Sequence, residues 1–191
     1  SRFSEKERLY IYRAVFLAIV IRLALFFVGY IIGRTVPKYD TPIFNLIYQI
    51  FYKWDARAYL YLAEYGYTAV GMERTYLAYF PLYPALVNLF GHILPTYMTA
   101  ALAVSFISSI FAGYFLQKLV SFDSEDDEVK RSLWFFYIFP TAYFLTVPYT
   151  EALFISLVLG AVTYARQKKW LGASIIAMFA CATRLQGLVL I

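Results

Sequence analysis

The chain has 191 residues, of which 62% are hydrophobic, 21% aromatic and only 15% charged. A water-facing domain is roughly 45–50% apolar and about 25% charged, so one soluble globule is excluded and several membrane spans are expected. The net charge of +5 contains no long Lys/Arg stripe, so no nucleic-acid partner is expected; in a membrane chain basic residues report orientation instead. One cysteine, Cys181, and one histidine, His92, leave no internal disulfide and no His/Cys zinc or haem centre.

Residues 14–33 form the first predicted span, since about 20 apolar residues cross a ~30 Å hydrocarbon core. Arg2, Lys6, Arg8 and Arg13 precede it, which places the N-terminus on the cytoplasmic side as the lead-in to an uncleaved span. Arg22 lies within the span. It either snorkels toward the cytoplasm or faces the interior of the bundle as an ion pair. Residues 34–42 carry two prolines and break the helix. From Ile43 to Trp54 apolar residues recur at helical spacing, which suits a short helix lying in the interface. A second amphipathic helix is expected from Ala56 to Glu64, ended by Gly66, with an exposed loop over 67–78.

Residues 80–95 are apolar but interrupted by Pro81, Pro84, Asn88, Gly91 and His92. The run is short for a span. Residues 97–120 are a clear span, and its Ala100, Ala101, Ala103, Ser105, Ser108, Ser109 and Gly113 suit close helix packing. A charged loop over 121–131 leads to a short aromatic span at 132–147, a break at 147–151, a span at 152–165, the basic loop RQKK at 166–169 and a last span at 170–191. Basic residues stay inside, so counting back from RQKK puts 121–131 inside and both ends of 80–95 outside. Residues 34–97 then form one long external loop containing membrane-parallel or re-entrant helices, and the chain has five spans. Six would require one basic end to break the rule.

This topology brings Asp55, Glu151 and Arg184 to one membrane face. Asp55 is either the N-cap of the helix that starts at Ala56 or a general base near an acceptor hydroxyl. Arg184 is deep in the last span and needs an anionic partner. That partner is either a lipid-linked phosphate gripped by the guanidinium fork or Glu151. Glu64 can be a solvated acid, and the tyrosines at 59, 61, 65 and 67 are more often interface anchors than sugar platforms. No Gly-rich phosphate loop is present, which disfavours a nucleotide-sugar donor.

Four stretches, KWDARAYLYLAEYGY (53–67), AYFPLYPAL (78–86), FPTAYFLTVPYTEALF (139–154) and ATRLQG (182–187), resemble the glycosylphosphatidylinositol mannosyltransferase II (PIG-V) family of the GT-C superfamily. The Trp54–Asp55 pair with the A-E-x-G-Y and F-P-L-x-P segments is the specific part. The resemblance implies an all-α polytopic membrane protein with a GT-C-like transmembrane bundle and interfacial helices in its first external loop, residues 1–191 being a single unit. It further implies an inverting mannosyltransferase that uses dolichyl- or polyprenyl-phosphate mannose and a glycolipid acceptor, GPI-precursor-like or other. Asp55 matches the catalytic acid of that first loop, with Arg184 at the donor phosphate and Trp54, Glu64, Tyr83 and Glu151 in support. No cofactor is implied, and a metal requirement is left open. The active site is expected on the extracytoplasmic or lumenal face, in the endoplasmic reticulum of a eukaryote or the plasma membrane of a prokaryote. Family chains are longer, so a fragment is the expected reading. A non-catalytic module binding a lipid-linked sugar and a transporter fragment are the rival readings.

Overall fold

A computed structural model describes residues 4–35, 48 and 50–190. Among these residues the fold is all helical, with no strand. Its α-helices are α1 (Glu5–Thr35), α2 (Ala56–Tyr65), α3 (Leu82–Gly91), α4 (Tyr97–Val120), α5 (Asp126–Ile138), α6 (Glu151–Arg166) and α7 (Trp170–Cys181). Short 3-10 helices cover Met72–Ala78, Pro140–Leu145 and Leu185–Leu190. The predicted break at 34–42 and helix at 43–54 lie largely outside the described residues.

α4 is the hub, packed by α1, α3, α5 and α6, while α7 packs on α6. The small residues read from the sequence explain this. Ala100, Ala101, Ser105, Ser108, Ser109 and Gly113 are buried in α4, and Ala103 is half-buried. Gly113 lets the Tyr137 ring of α5 approach, since a Cβ there would meet Tyr137 Oη at 2.7 Å. Thr96 caps α4 by accepting from Thr99 N at 3.1 Å, which fixes where this helix begins.

α1 and α4 are long and apolar enough to cross a membrane by length and composition. α1 leaves Phe16, Leu23 and Phe27 more than half uncovered, the pattern of a helix whose outer face needs an apolar solvent. The three later predicted spans are shorter as α-helices. α5, α6 and α7 have 13, 16 and 12 residues, or roughly 20, 24 and 18 Å. Three of their boundaries also differ from the sequence reading. α5 starts at Asp126 because Glu125 and Glu128 form a capping box, and it stops before Pro140, where a proline lacks the N–H that a continuing helix needs. The stretch 170–191 is not one helix: the chain turns at Ala182–Thr183 and folds back onto α7. Gly187 permits this, since a Cβ there would lie 2.5 Å from Cys181 N.

Charged groups tie one end of the bundle. Glu7 of α1 takes Lys118 of α4 at 2.6 Å, Arg13 takes Asp126 at 2.8 Å, and Arg166 pairs with Asp123. The basic N-terminal segment, the 121–131 loop and the start of RQKK therefore share an end. The helix expected over Ala56–Glu64 is present as α2, ended by Gly66 at φ 76°. Segment 80–95 holds only the ten-residue α3, about 15 Å long and too short to cross.

Arg22 faces the interior. It donates to Ser109 Oγ at 2.9 Å and to the Leu145 carbonyl at 2.7 Å, and lies 4.8 Å from the Phe106 ring. It does not snorkel, and it makes no ion pair among the described residues: hydroxyl, carbonyl and ring take the place of a carboxylate.

Candidate functional site

At the end of the bundle opposite the charged contacts, four sequence-distant segments meet. The turn at 53–55 enters α2 with Trp54 at φ 46°, a left-handed conformation that a bulky residue adopts only under constraint. One source of that constraint is Tyr149, whose hydroxyl donates to the Lys53 carbonyl at 3.2 Å. Trp54 itself is 74% exposed. Asp55 follows at the first position outside α2, yet it does not cap: its backbone is already helical and its carboxylate makes no bond to the helix N–H groups. The capping alternative is thereby removed. The Asp55 carboxylate is exposed and accepts instead from the Tyr79 hydroxyl at 2.9 Å.

Tyr79 begins an aromatic wall. Its ring meets Tyr59 edge-on at 5.1 Å, and Tyr59 meets Tyr83 at 5.2 Å. Burial first, then the neighbouring Asp55 charge, pushes the Tyr79 phenol up to about 12, so it remains a donor to Asp55 through the neutral range. The Tyr59 phenol is also raised, chiefly by burial, and it faces Thr150. Reading Tyr59 as an interface anchor is therefore corrected: it is 8% exposed and belongs to the wall. Tyr83, expected in support, is the next ring. It is fully buried and holds Ser105 Oγ at 3.1 Å and the Ala101 carbonyl at 3.2 Å, so it supports the site from beneath and is closed to any ligand.

Thr150 leads into α6, and the next residue is Glu151. Its Oε1 forms an ion pair with Arg184 Nη1 at 2.8 Å, while its Oε2 is buried with no partner among the described residues. A buried acceptor left unpaired is costly, and sites that bind hydroxyl-rich ligands supply such acceptors. Arg184 is held here because Thr183 bonds back to the Phe179 carbonyl at 2.8 Å and the chain then turns. The Leu82 N–H donates to the Ala182 carbonyl at 3.0 Å, joining the FPLYP and ATRLQG stretches. Arg184 is about one-third exposed. Glu151 is its only ion-pair or hydrogen-bond partner among the described residues, which leaves most of its five N–H donors for another acceptor.

Asp55, Glu151 and Arg184 thus stand round one aromatic wall. Glu64 does not join them. It lies at the other end of α2, roughly 14 Å along the axis from Asp55, in a separate opening with Tyr61 and Tyr65. Tyr79 and Tyr149 are residues that sequence reasoning missed, and Tyr59 is one that it read as an anchor. All three lie inside the quoted stretches, but nothing in local spacing ties Tyr79 to an acid 24 residues earlier. Among the described residues no group of three or more His, Cys, Asp or Glu is placed to hold a metal. No family model matches the sequence, and no curated protein or solved structure matches it either.

Proposed function

We propose that the protein is a polytopic membrane glycosyltransferase of the GT-C type, transferring mannose with inversion from a polyprenyl- or dolichyl-phosphate carrier to a glycolipid hydroxyl on the extracytoplasmic or lumenal face. The observation that carries this reading is the convergence of the four resembling stretches on one site. Tyr79 bonds Asp55, Tyr149 bonds Lys53, Leu82 bonds Ala182, and Arg184 pairs with Glu151. Segments drawn from positions 53 to 187 supply a carboxylate, a guanidinium and an unpaired acceptor within one aromatic setting.

In this reading Asp55 takes the proton of the acceptor hydroxyl as its oxygen bonds to the sugar C1 from the face opposite the phosphate. The C1–O bond to the phosphate breaks, and the electron pair leaves on the phosphate oxygen. Arg184 meets that growing negative charge, at no entropic cost if Glu151 has already fixed its fork. The unpaired Oε2 of Glu151 accepts from a sugar hydroxyl. Tyr79 holds the Asp55 carboxylate in place, and the strained turn at Trp54 fixes its approach. α1 and α4 anchor the site in the bilayer, with the uncovered face of α1 toward lipid.

The test uses carrier lipid labelled in its mannose. Label appearing in a glycolipid product supports transfer, and the product anomer reports inversion. Carrier retained without any product would instead support a binding module that lacks catalysis.

A further inference from the structure

A second opening of about 600 Å³ lies beside the C-terminal half of α2 and the start of α4, walled by Tyr48, Tyr52, Tyr61, Tyr65 and Tyr97 together with Glu64. Two pairs of rings form its sides. Tyr48 and Tyr52 stack at 4.8 Å, and Tyr61 and Tyr65 lie at 5.1 Å. Among the described residues no lysine, arginine or histidine lines it, so the only formal charge they place at its wall is the Glu64 carboxylate. Glu64 makes no ion pair among the described residues, and the Tyr65 and Tyr48 hydroxyls lie near it.

Aromatic faces attract cations through their quadrupole, and quaternary ammonium groups are the ligands such cages hold best. A carboxylate on the wall adds a counter-charge that an uncharged ligand cannot use. The tendency is already visible at the margin: the Arg57 guanidinium stands 5.5 Å from the Tyr52 ring without lining the opening. A sugar platform would instead need amides, carboxylates and guanidinium groups set round a ring. Here the described residues supply one carboxylate, no amide and no guanidinium. We infer that the tyrosine-walled opening at Glu64 binds an alkylammonium group of the choline class. The inference is independent of the transfer reaction, because neither Asp55 nor Arg184 lines this opening.

The intact protein, in a neutral choline-free detergent, is titrated with choline and with 3,3-dimethylbutan-1-ol, which has the same shape and no charge. Saturation-transfer NMR reads both. Choline is expected to bind saturably and at least about tenfold tighter than the isostere. Glu64→Gln and the pair Tyr61→Leu with Tyr65→Leu are each expected to weaken choline by about tenfold, with wild-type helicity by circular dichroism. Tyr61→Phe keeps the ring face and should keep the affinity. Equal binding of choline and its isostere overturns the inference, and that comparison needs no variant to fold. Wild-type affinity in Glu64→Gln also overturns it. So does tighter binding of methyl mannoside than of choline, which would make the opening a sugar platform. A final arm separates two sources of the same chemistry. In mixed nanodiscs, phosphatidylcholine enriched over phosphatidylglycerol around wild type but not Glu64→Gln supports a lipid headgroup; choline binding without that enrichment supports a soluble amine.

Discussion

Replacing Arg22 by methionine tests how the interior holds the site. The guanidinium bonds Ser109 Oγ at 2.9 Å and the Leu145 carbonyl at 2.7 Å. Ser109 stays satisfied without it, because its hydroxyl also donates to the Phe106 carbonyl at 2.9 Å. The Leu145 carbonyl has no second donor among the described residues. One orphaned buried carbonyl costs about 1–3 kcal/mol. Release of the guanidinium from its own burial opposes this, so a net loss of about 1–2 kcal/mol is expected. For a chain of this size that is a fall of roughly 2–8 °C in apparent Tm. The loss should be local as well as global, because Leu145 leads directly into the 146–151 segment that carries Tyr149 and Glu151. Thermal unfolding in detergent reads the first effect, and amide exchange at Thr146 and Val147 reads the second. An Arg22→Met protein with unchanged Tm and unchanged exchange at those two amides would refute the reasoning.

Arg184→Ala should weaken binding of the sugar-phosphate lipid much more than that of the dephosphorylated lipid, and Arg184→Lys should restore it only in part, since an ammonium lacks the planar fork. Equal loss for both lipids would reduce Arg184 to a structural partner of Glu151. Tyr79 titrates near 12 in the folded protein, above its ordinary 10.0. Its contribution to stability is therefore complete below pH about 10 and is lost as pH rises through about 12. The ultraviolet titration of wild type minus Tyr79→Phe should lack a phenol titrating near its ordinary value; finding one there would place Tyr79 in open solvent. For orientation, single cysteines at Thr68 and Ile93, with Cys181 replaced by alanine, should both react with an impermeant thiol reagent from outside. Ile93 is 78% exposed and avoids Thr96, whose hydroxyl caps α4. Labelling of Thr68→Cys alone would require the six-span topology.

Sequence periodicity and turn chemistry carried the parts of the fold that are local. α2 lies where Ala56–Glu64 reads as an amphipathic helix, because its apolar spacing and Gly66 are short-range signals. The small-residue face of α4 was legible for the same reason. The end of the chain was not. Hydropathy sees an apolar run over 170–191 and cannot see Gly187 closing onto the Cys181 backbone. At the site, the residue types were legible and their partners only in part. The pairing of Arg184 with Glu151 follows from two charges that a bundle must reconcile at one depth, and it stood as one of two readings. The Asp55–Tyr79 bond had no local signature, and an acid just ahead of a helix mimics a cap whatever its side chain does. Glu64 shares a stretch with the site residues but points elsewhere, since a helix of ten residues presents different faces to different neighbours.

The most direct measurement is mannosyl transfer by Asp55→Asn. Asparagine keeps an oxygen to accept from Tyr79, but it is no base. Removal of a general base costs roughly 10²–10⁴-fold in rate. The variant is expected to fold, to keep its apparent Tm and donor-lipid binding, and to lose transfer by at least about a hundredfold. Near-normal turnover in Asp55→Asn would contradict the assignment of Asp55 as the base and leave the proposed transferase without its central residue.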